Sequence, residues 1–195
     1  METTQTGSLS LVKGQKIDVT KTNPNLTKVG VGLGWDANSG NGSKFDLDAS
    51  CIMLSGGKVW KSQKDATVYF NHLIAQGVTH TGDNLTGVGD GDDEVINVDL
   101  PALAPEVDAL VFVVNIYESA SRRQNFGMVR NAFIRIYNDE TKVEIAKYDL
   151  SEDATSGTAL TFAKLYKHNN EWKFEALGEV TNATSLTELV DKYSI

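Results

Sequence analysis

The sequence predicts a mainly β protein, an antiparallel sandwich or barrel, with one or two short helices, one of them C-terminal. Three observations predict it. Apolar residues recur at every second position through most of the 195 residues. The runs that carry this period are rich in β-branched and aromatic residues, which suit a pleated surface. Turn-forming clusters separate them at near-regular intervals, as in sandwiches and barrels rather than βαβ units.

The elements follow in order. Strands are predicted over residues 9–12 and 16–20. Next, Val29, Val31, Leu33 and Trp35 alternate with Gly30, Gly32 and Gly34, and Phe45, Leu47, Ala49, Cys51 and Met53 alternate with Asp46, Asp48 and Ser50. Each run places one set of side chains on each face of a strand. Further strands are predicted over 67–70, 95–98, 110–117, 132–137, 143–148, 160–166 and 172–176. Residues 55–58, 138–142 and 167–171 have the composition of hairpin connections. Helical spacing is confined to Leu186, Leu189 and Val190, within 185–193, and to a weaker start near Ser151. Residues 1–8 are read as a flexible polar tail, and 9–195 as a single domain.

Charge is unevenly placed. The chain carries 18 Lys and Arg against 26 Asp and Glu, a net −8. From Asp65 to Ser121 it has no Lys or Arg and 10 acidic residues, which leaves 18 basic and 16 acidic residues elsewhere. The acidity belongs to one segment, and it argues against nucleic acid as a partner, because phosphate binding needs clustered Lys and Arg. No run approaches the roughly 20 apolar residues of a membrane helix. The single Cys51 excludes an internal disulfide, and the N-terminus lacks a secretory pattern, so the cytoplasm is the expected location.

Between Thr79 and Val95 lies a long glycine-rich loop with five carboxylates between Asp83 and Glu94. Two like charges 4 Å apart cost on the order of 4 kcal/mol at an effective dielectric near 20. Such a loop either stays extended in water or closes around a cation. Asp, Asn, Thr and glycine carbonyls are hard oxygen ligands of the kind Ca²⁺ takes. The spacing is not that of an EF-hand, since Leu85, Gly87 and Val88 fall where Asp/Asn, Asp/Asn and Gly are needed. Asp46 and Asp48, two apart on a strand, share a face. Together with Asp36 they can meet the loop at one end of a sandwich, or can simply form a solvated face.

The blocks Gly32-Leu33-Gly34-Trp35-Asp36, Phe45-Asp46-Leu47-Asp48-Ala49-Ser50 and Gly82-Asp83-Asn84-Leu85-Thr86-Gly87-Val88-Gly89-Asp90-Gly91-Asp92-Asp93-Glu94 resemble the signature of the TerD family of tellurium-resistance and stress-response proteins. Gln124-Asn125-Phe126-Gly127, Asn131-Ala132-Phe133-Ile134-Arg135 and Glu171-Trp172-Lys173-Phe174 extend the resemblance along nearly the whole chain. It implies a calcium-binding antiparallel β-sandwich, C2-like in topology, without enzymatic chemistry, working with other stress-response proteins. It also implies a ligand set of Asp46, Asp48, Asp83, Asn84, Asp90, Asp92, Asp93 and Glu94, with Asp36 and Glu118 as outer members, holding two Ca²⁺. Glu118 stands where many relatives carry Asp.

Two rival readings remain. A metal-dependent hydrolase needs a base or an anion-binding group beside the metal, and His80 is the only nearby imidazole. A calcium-dependent phospholipid module needs apolar or basic loop tips, for which Leu85, Val88, Arg122 and Arg123 are the candidates. Trp35, Trp60 and Trp172 are expected in the core, and Arg122, Arg123, Arg130 and Arg135 in surface ion pairs.

Overall fold

The computed structural model describes residues 7–37, 44–89, 91–150 and 156–194. The expectations for most of the tail, for the loop around 38–43, for Asp90 and for a helix near Ser151 lie outside the described residues. In chain order the strands are β1 (Leu9–Leu11), β2 (Lys16–Asp18), β3 (Lys28–Gly34), β4 (Leu47–Ser55), β5 (Lys58–Val59), β6 (Thr67–Val68) and β7 (Ile74–Ala75). They continue with β8 (Val78–His80), β9 (Glu94–Asp99), β10 (Ala109–Ile116), β11 (Phe133–Asn138), β12 (Glu144–Asp149), β13 (Ala159–His168) and β14 (Glu171–Thr181). The helices are α1 (Gln63–Ala66), α2 (Ser119–Arg122) and α3 (Leu186–Asp191).

Two sheets form from these strands. One runs β1-β12-β11-β3-β9-β8-β7, the other β2-β14-β13-β10-β4-β5, with β6 against β4. Every pairing is antiparallel except β1 with β12, which is parallel. The chain leaves β1 for β2 in the opposite sheet, so no hairpin fixes the direction of β1. The core fills the space between the sheets. Val31, Leu33, Ile134 and Ile136 from one layer pack with Leu47, Cys51, Phe112 and Val114 from the other.

β4 is buried on both faces, contrary to an exposed acidic face. Asp46, Asp48, Ser50, Ile52 and Leu54 occupy the face turned away from the main core. Ile52 and Leu54 join Val111 and Val113 under Leu189 and Val190 of α3. The cap of α3 holds it there: Ser185 Oγ accepts from Glu188 N–H, and the Glu188 carboxylate accepts from Thr184 N–H, a reciprocal arrangement that satisfies helix-start donors. The same sheet face is therefore apolar under the helix and acidic beyond it.

The strand directions bring the loops after β3, β8, β10 and β12 to one end of the sandwich. Ile116 lies beside Leu47, and Leu33 beside Glu94. The acidic loop and the start of β4 thus become neighbours.

Candidate metal centre

Asp46 and Asp48 each keep only 5% of their surface exposed. Oxygens of Asp46, Asp48 and Asp83 all lie within 4.8 Å of one another. Few protein groups compensate them. Asp48 Oδ2 accepts from Asn115 Nδ2 at 3.2 Å. Asp46 Oδ2 stands 3.7 Å from the Arg122 guanidinium, while its buried Oδ1 has no hydrogen-bond partner among the described residues. Burial, reinforced by the charges of Glu94, Asp46 and Asp83, pushes the Asp48 carboxyl up to about 8. Burial and Asp83 raise Asp46 also, opposed by Arg122. A buried, unpartnered carboxylate oxygen costs about 1–3 kcal/mol, so the cluster is built at the expense of the metal-free fold.

Glu94 closes the inner side. Its carboxylate accepts from Ala49 N–H at 2.6 Å and from Asn84 N–H at 3.4 Å. His80 Nε2 lies 3.5 Å from it. Since His80 Nδ1 accepts from Gly82 N–H, the ring proton belongs on Nε2, facing Glu94. Burial raises the Glu94 carboxyl, and the His80 and Ala49 contacts oppose the rise. The imidazole is thus a neighbour of the acidic cluster through Glu94.

The remaining predicted residues form a second neighbourhood. Asp93 Oδ2 accepts from Trp35 N–H at 2.9 Å, and Asp93 Oδ1 from Asn84 Nδ2 at 2.7 Å. Asp36 Oδ2 accepts from Asn131 Nδ2 at 2.7 Å. Burial raises Asp93, Trp35 N–H opposes this, and Asp92 and Asp36 add to it. Asp92 is neutralised by Arg135, which donates to both of its carboxylate oxygens. Asn84 bridges the two neighbourhoods, with its side-chain oxygen engaged by Thr86 and Gly87 N–H within the loop. Glu118 sits apart from the tight trio, paired at 3.3 Å with Arg122. Asp90 lies outside the described residues.

The family model for the TerD domain matches residues 8–193. The chain belongs to the TerD family. It is 51% identical over 174 residues to the tellurium resistance protein TerD of Serratia marcescens, covering 88% of this chain and 90% of that protein. It is 49% identical over 174 residues to general stress protein 16U of Bacillus subtilis (strain 168), with the same coverage of each. A solved homologue of telluride resistance protein TerD from Streptomyces coelicolor A3(2) superposes with a TM-score of 0.72 at 19% identity, covering 87% of this chain and 99% of that one. The TerD sandwich explains why the acidic loop and β4 share one end. Among the described residues of this TerD chain, no helix is long and apolar enough to cross a membrane.

The donors of the TerD cluster are all hard oxygens, and the one cysteine, Cys51, is buried elsewhere in the core. That chemistry fits Ca²⁺ or Mg²⁺ and disfavours soft metals.

Proposed function

We propose that this TerD protein is a Ca²⁺-binding module of a stress response, including tellurite or other chemical stress, acting in the cytoplasm by binding other proteins rather than by catalysis. The carrying observation is the convergence of Asp46, Asp48 and Asp83, two of them buried, with Asp46 Oδ1 lacking a hydrogen-bond partner among the described residues. A divalent cation supplies the missing partner and relieves the repulsion that burial magnifies. Asp36, Asp93 and the loop beside them are the place for a second ion. Here a cavity of about 330 Å³ is lined by Asp36, Gly89 and Gly91, with Lys147 on its wall. Names of the relatives support the stress role, and the donor chemistry supports calcium.

Thermal unfolding in EDTA, Mg²⁺ and Ca²⁺ tests this. At 100 times its dissociation constant, one ion stabilises the fold by about 2.7 kcal/mol, roughly 5–10 °C for a chain of this size. Coincident melting curves in EDTA and Ca²⁺ would refute the proposal.

A second reading draws on Leu85 and Val88, 57% and 66% exposed on the acidic loop. Apolar tips beside a calcium site suit calcium-dependent contact with anionic lipid. Co-sedimentation with phosphatidylserine vesicles, dependent on calcium and lost in Leu85→Ser/Val88→Ser, supports that reading; sedimentation equal in EDTA rejects it.

A further inference from the structure

The three acids of the candidate centre have one cationic neighbour. Among the described residues Arg122 is the one Lys or Arg paired with any of them, its Nη1 standing 3.7 Å from Asp46 Oδ2. Three contacts fix its place. Glu118, in the left-handed region at φ 51°, turns the chain into α2 directly after β10 and Tyr117. One turn later residue 122 returns over residue 118. Arg122 Nη2 reaches Glu118 Oε2 at 3.3 Å, and the guanidinium lies over the Tyr117 ring, 5.2 Å from its centroid. Tyr117 N–H in turn donates to the Asp46 carbonyl at 2.8 Å, so the segment that carries the arginine is stitched to the residue that carries the acid.

The compensation is partial. The Asp46 contact is long for a charge-assisted hydrogen bond, and the guanidinium divides its donors between Asp46 and Glu118. Burial first, then Asp83, raise the Asp46 carboxyl, and Arg122 is the charge that opposes them. A guanidinium keeps its charge throughout the ordinary pH range, so this counter-charge is always present. A divalent ion drawn to the same carboxylates meets a like charge already in place, and competes with it for Asp46. By linkage, whatever Arg122 takes from ion affinity, ion binding takes from the Arg122 contact.

We infer that Arg122 is the built-in counter-ion of Asp46, Asp48 and Asp83: it steadies the ion-free fold and holds calcium affinity below what the three carboxylates alone would give. The inference rests on the calcium reading above and adds a residue that sets the concentration at which the ion binds. Glu118 is then a positioning residue, drawing the guanidinium off Asp46 rather than ligating the ion.

Competition with a fluorescent calcium indicator measures the affinity of the full chain, and melting curves in EDTA measure the ion-free fold. Arg122→Gln is expected to bind calcium about tenfold more tightly, equivalent to about 1.4 kcal/mol, while its melting temperature in EDTA falls. A purely structural arginine would lower both. Arg122→Lys keeps the charge and is expected to stay close to the wild-type affinity. Arg123→Gln changes the net charge equally at an exposed neighbour and is expected to leave the affinity unchanged. Glu118→Gln is expected to weaken calcium binding, and to do so much less in the Arg122→Gln background. Where Arg122→Gln is too unstable to measure, Arg122→Met, which keeps an apolar stem over Tyr117, takes its place. Affinity unchanged or weakened in Arg122→Gln, or tightened as much in Arg122→Lys or Arg123→Gln, overturns the inference and leaves the calcium reading standing. A melting temperature in EDTA that rises in Arg122→Gln contradicts the counter-ion role. A Glu118→Gln loss that is equal in both backgrounds overturns the positioning role of Glu118. A wild-type chain that binds no calcium overturns both readings.

Discussion

Asp92 and Arg135 are paired through both oxygens, with Nε to Oδ1 at 2.7 Å and Nη2 to Oδ2 at 2.9 Å. The carboxylate lies flat on Gly32, where a Cβ would overlap it. Alternating glycines in β3 thus leave a bare strip of sheet on which an acidic side chain of the loop can rest and meet a guanidinium from β11. This contact and those of Asp93 and Glu94 with the backbone N–H groups of Trp35 and Ala49 anchor the C-terminal end of the loop.

Replacing Gly32 by Ala should dislodge Asp92 and cost about 1–3 kcal/mol, the usual range for overpacking a tight site. Urea unfolding in EDTA measures it. The loss should shrink when Gly32→Ala is combined with Asp92→Ala, because the side chain that clashes is then gone. Equal losses in both backgrounds would remove Asp92 from the explanation.

Asp92→Asn and Asp48→Asn should separate anchoring from ion binding. Asp92 has its charge matched by Arg135, so Asp92→Asn is expected to destabilise the EDTA form while leaving the calcium-dependent rise in melting temperature in place. Asp48→Asn should do the reverse. It removes a buried carboxyl that the metal-free fold must keep protonated up to about pH 8, raising stability in EDTA by roughly 1–3 kcal/mol, and it abolishes the calcium-dependent rise. A calcium shift preserved in Asp48→Asn would exclude Asp48 as a ligand.

The sequence made the long strands legible because period-two alternation is local, and β3, β4, β10 and β11 all lie within a residue or two of their expected bounds. β5, β7 and β8 have two or three residues each, too few for a period to show. Asp46 and Asp48 were readable as one face, and their approach to Asp83 followed from loops gathering at one end. Their burial was not readable. It depends on segments distant along the chain, Tyr69 and Leu186 beside Asp48, and Asp83 and Arg122 beside Asp46. The partners of Asp92 and Asp46, Arg135 and Arg122, are equally hidden from local spacing, which links no residues 43 or 76 positions apart. A signal was present in Gly32: a strand glycine marks a place where another group comes close.

Stability of the metal-free protein should fall as pH rises from about 4 to 8. Asp48 is held at about 8 in the fold against an ordinary 3.8, chiefly by burial and then by Glu94, Asp46 and Asp83, with only the Asn115 amide opposing. Asp46, Asp93 and Glu94 are raised in the same direction. Between the two values the folded state holds a proton that the unfolded chain has released, so stability declines with pH in that window. The limiting slope is about 1.4 kcal/mol per pH unit for one proton. Below the window both states are protonated, and above it both are ionised, so the contribution of Asp48 levels off at each side. Calcium replaces the proton as the neutralising partner. Its stabilisation should accordingly be small near pH 5, where it must displace protons, and should grow toward pH 8. Melting curves at half-unit intervals, with EDTA and with Ca²⁺, measure both trends. Asp48→Asn should flatten the EDTA profile, and a wild-type EDTA profile that rises from pH 5 to 8 would contradict the assignment of Asp48 as the dominant buried carboxyl.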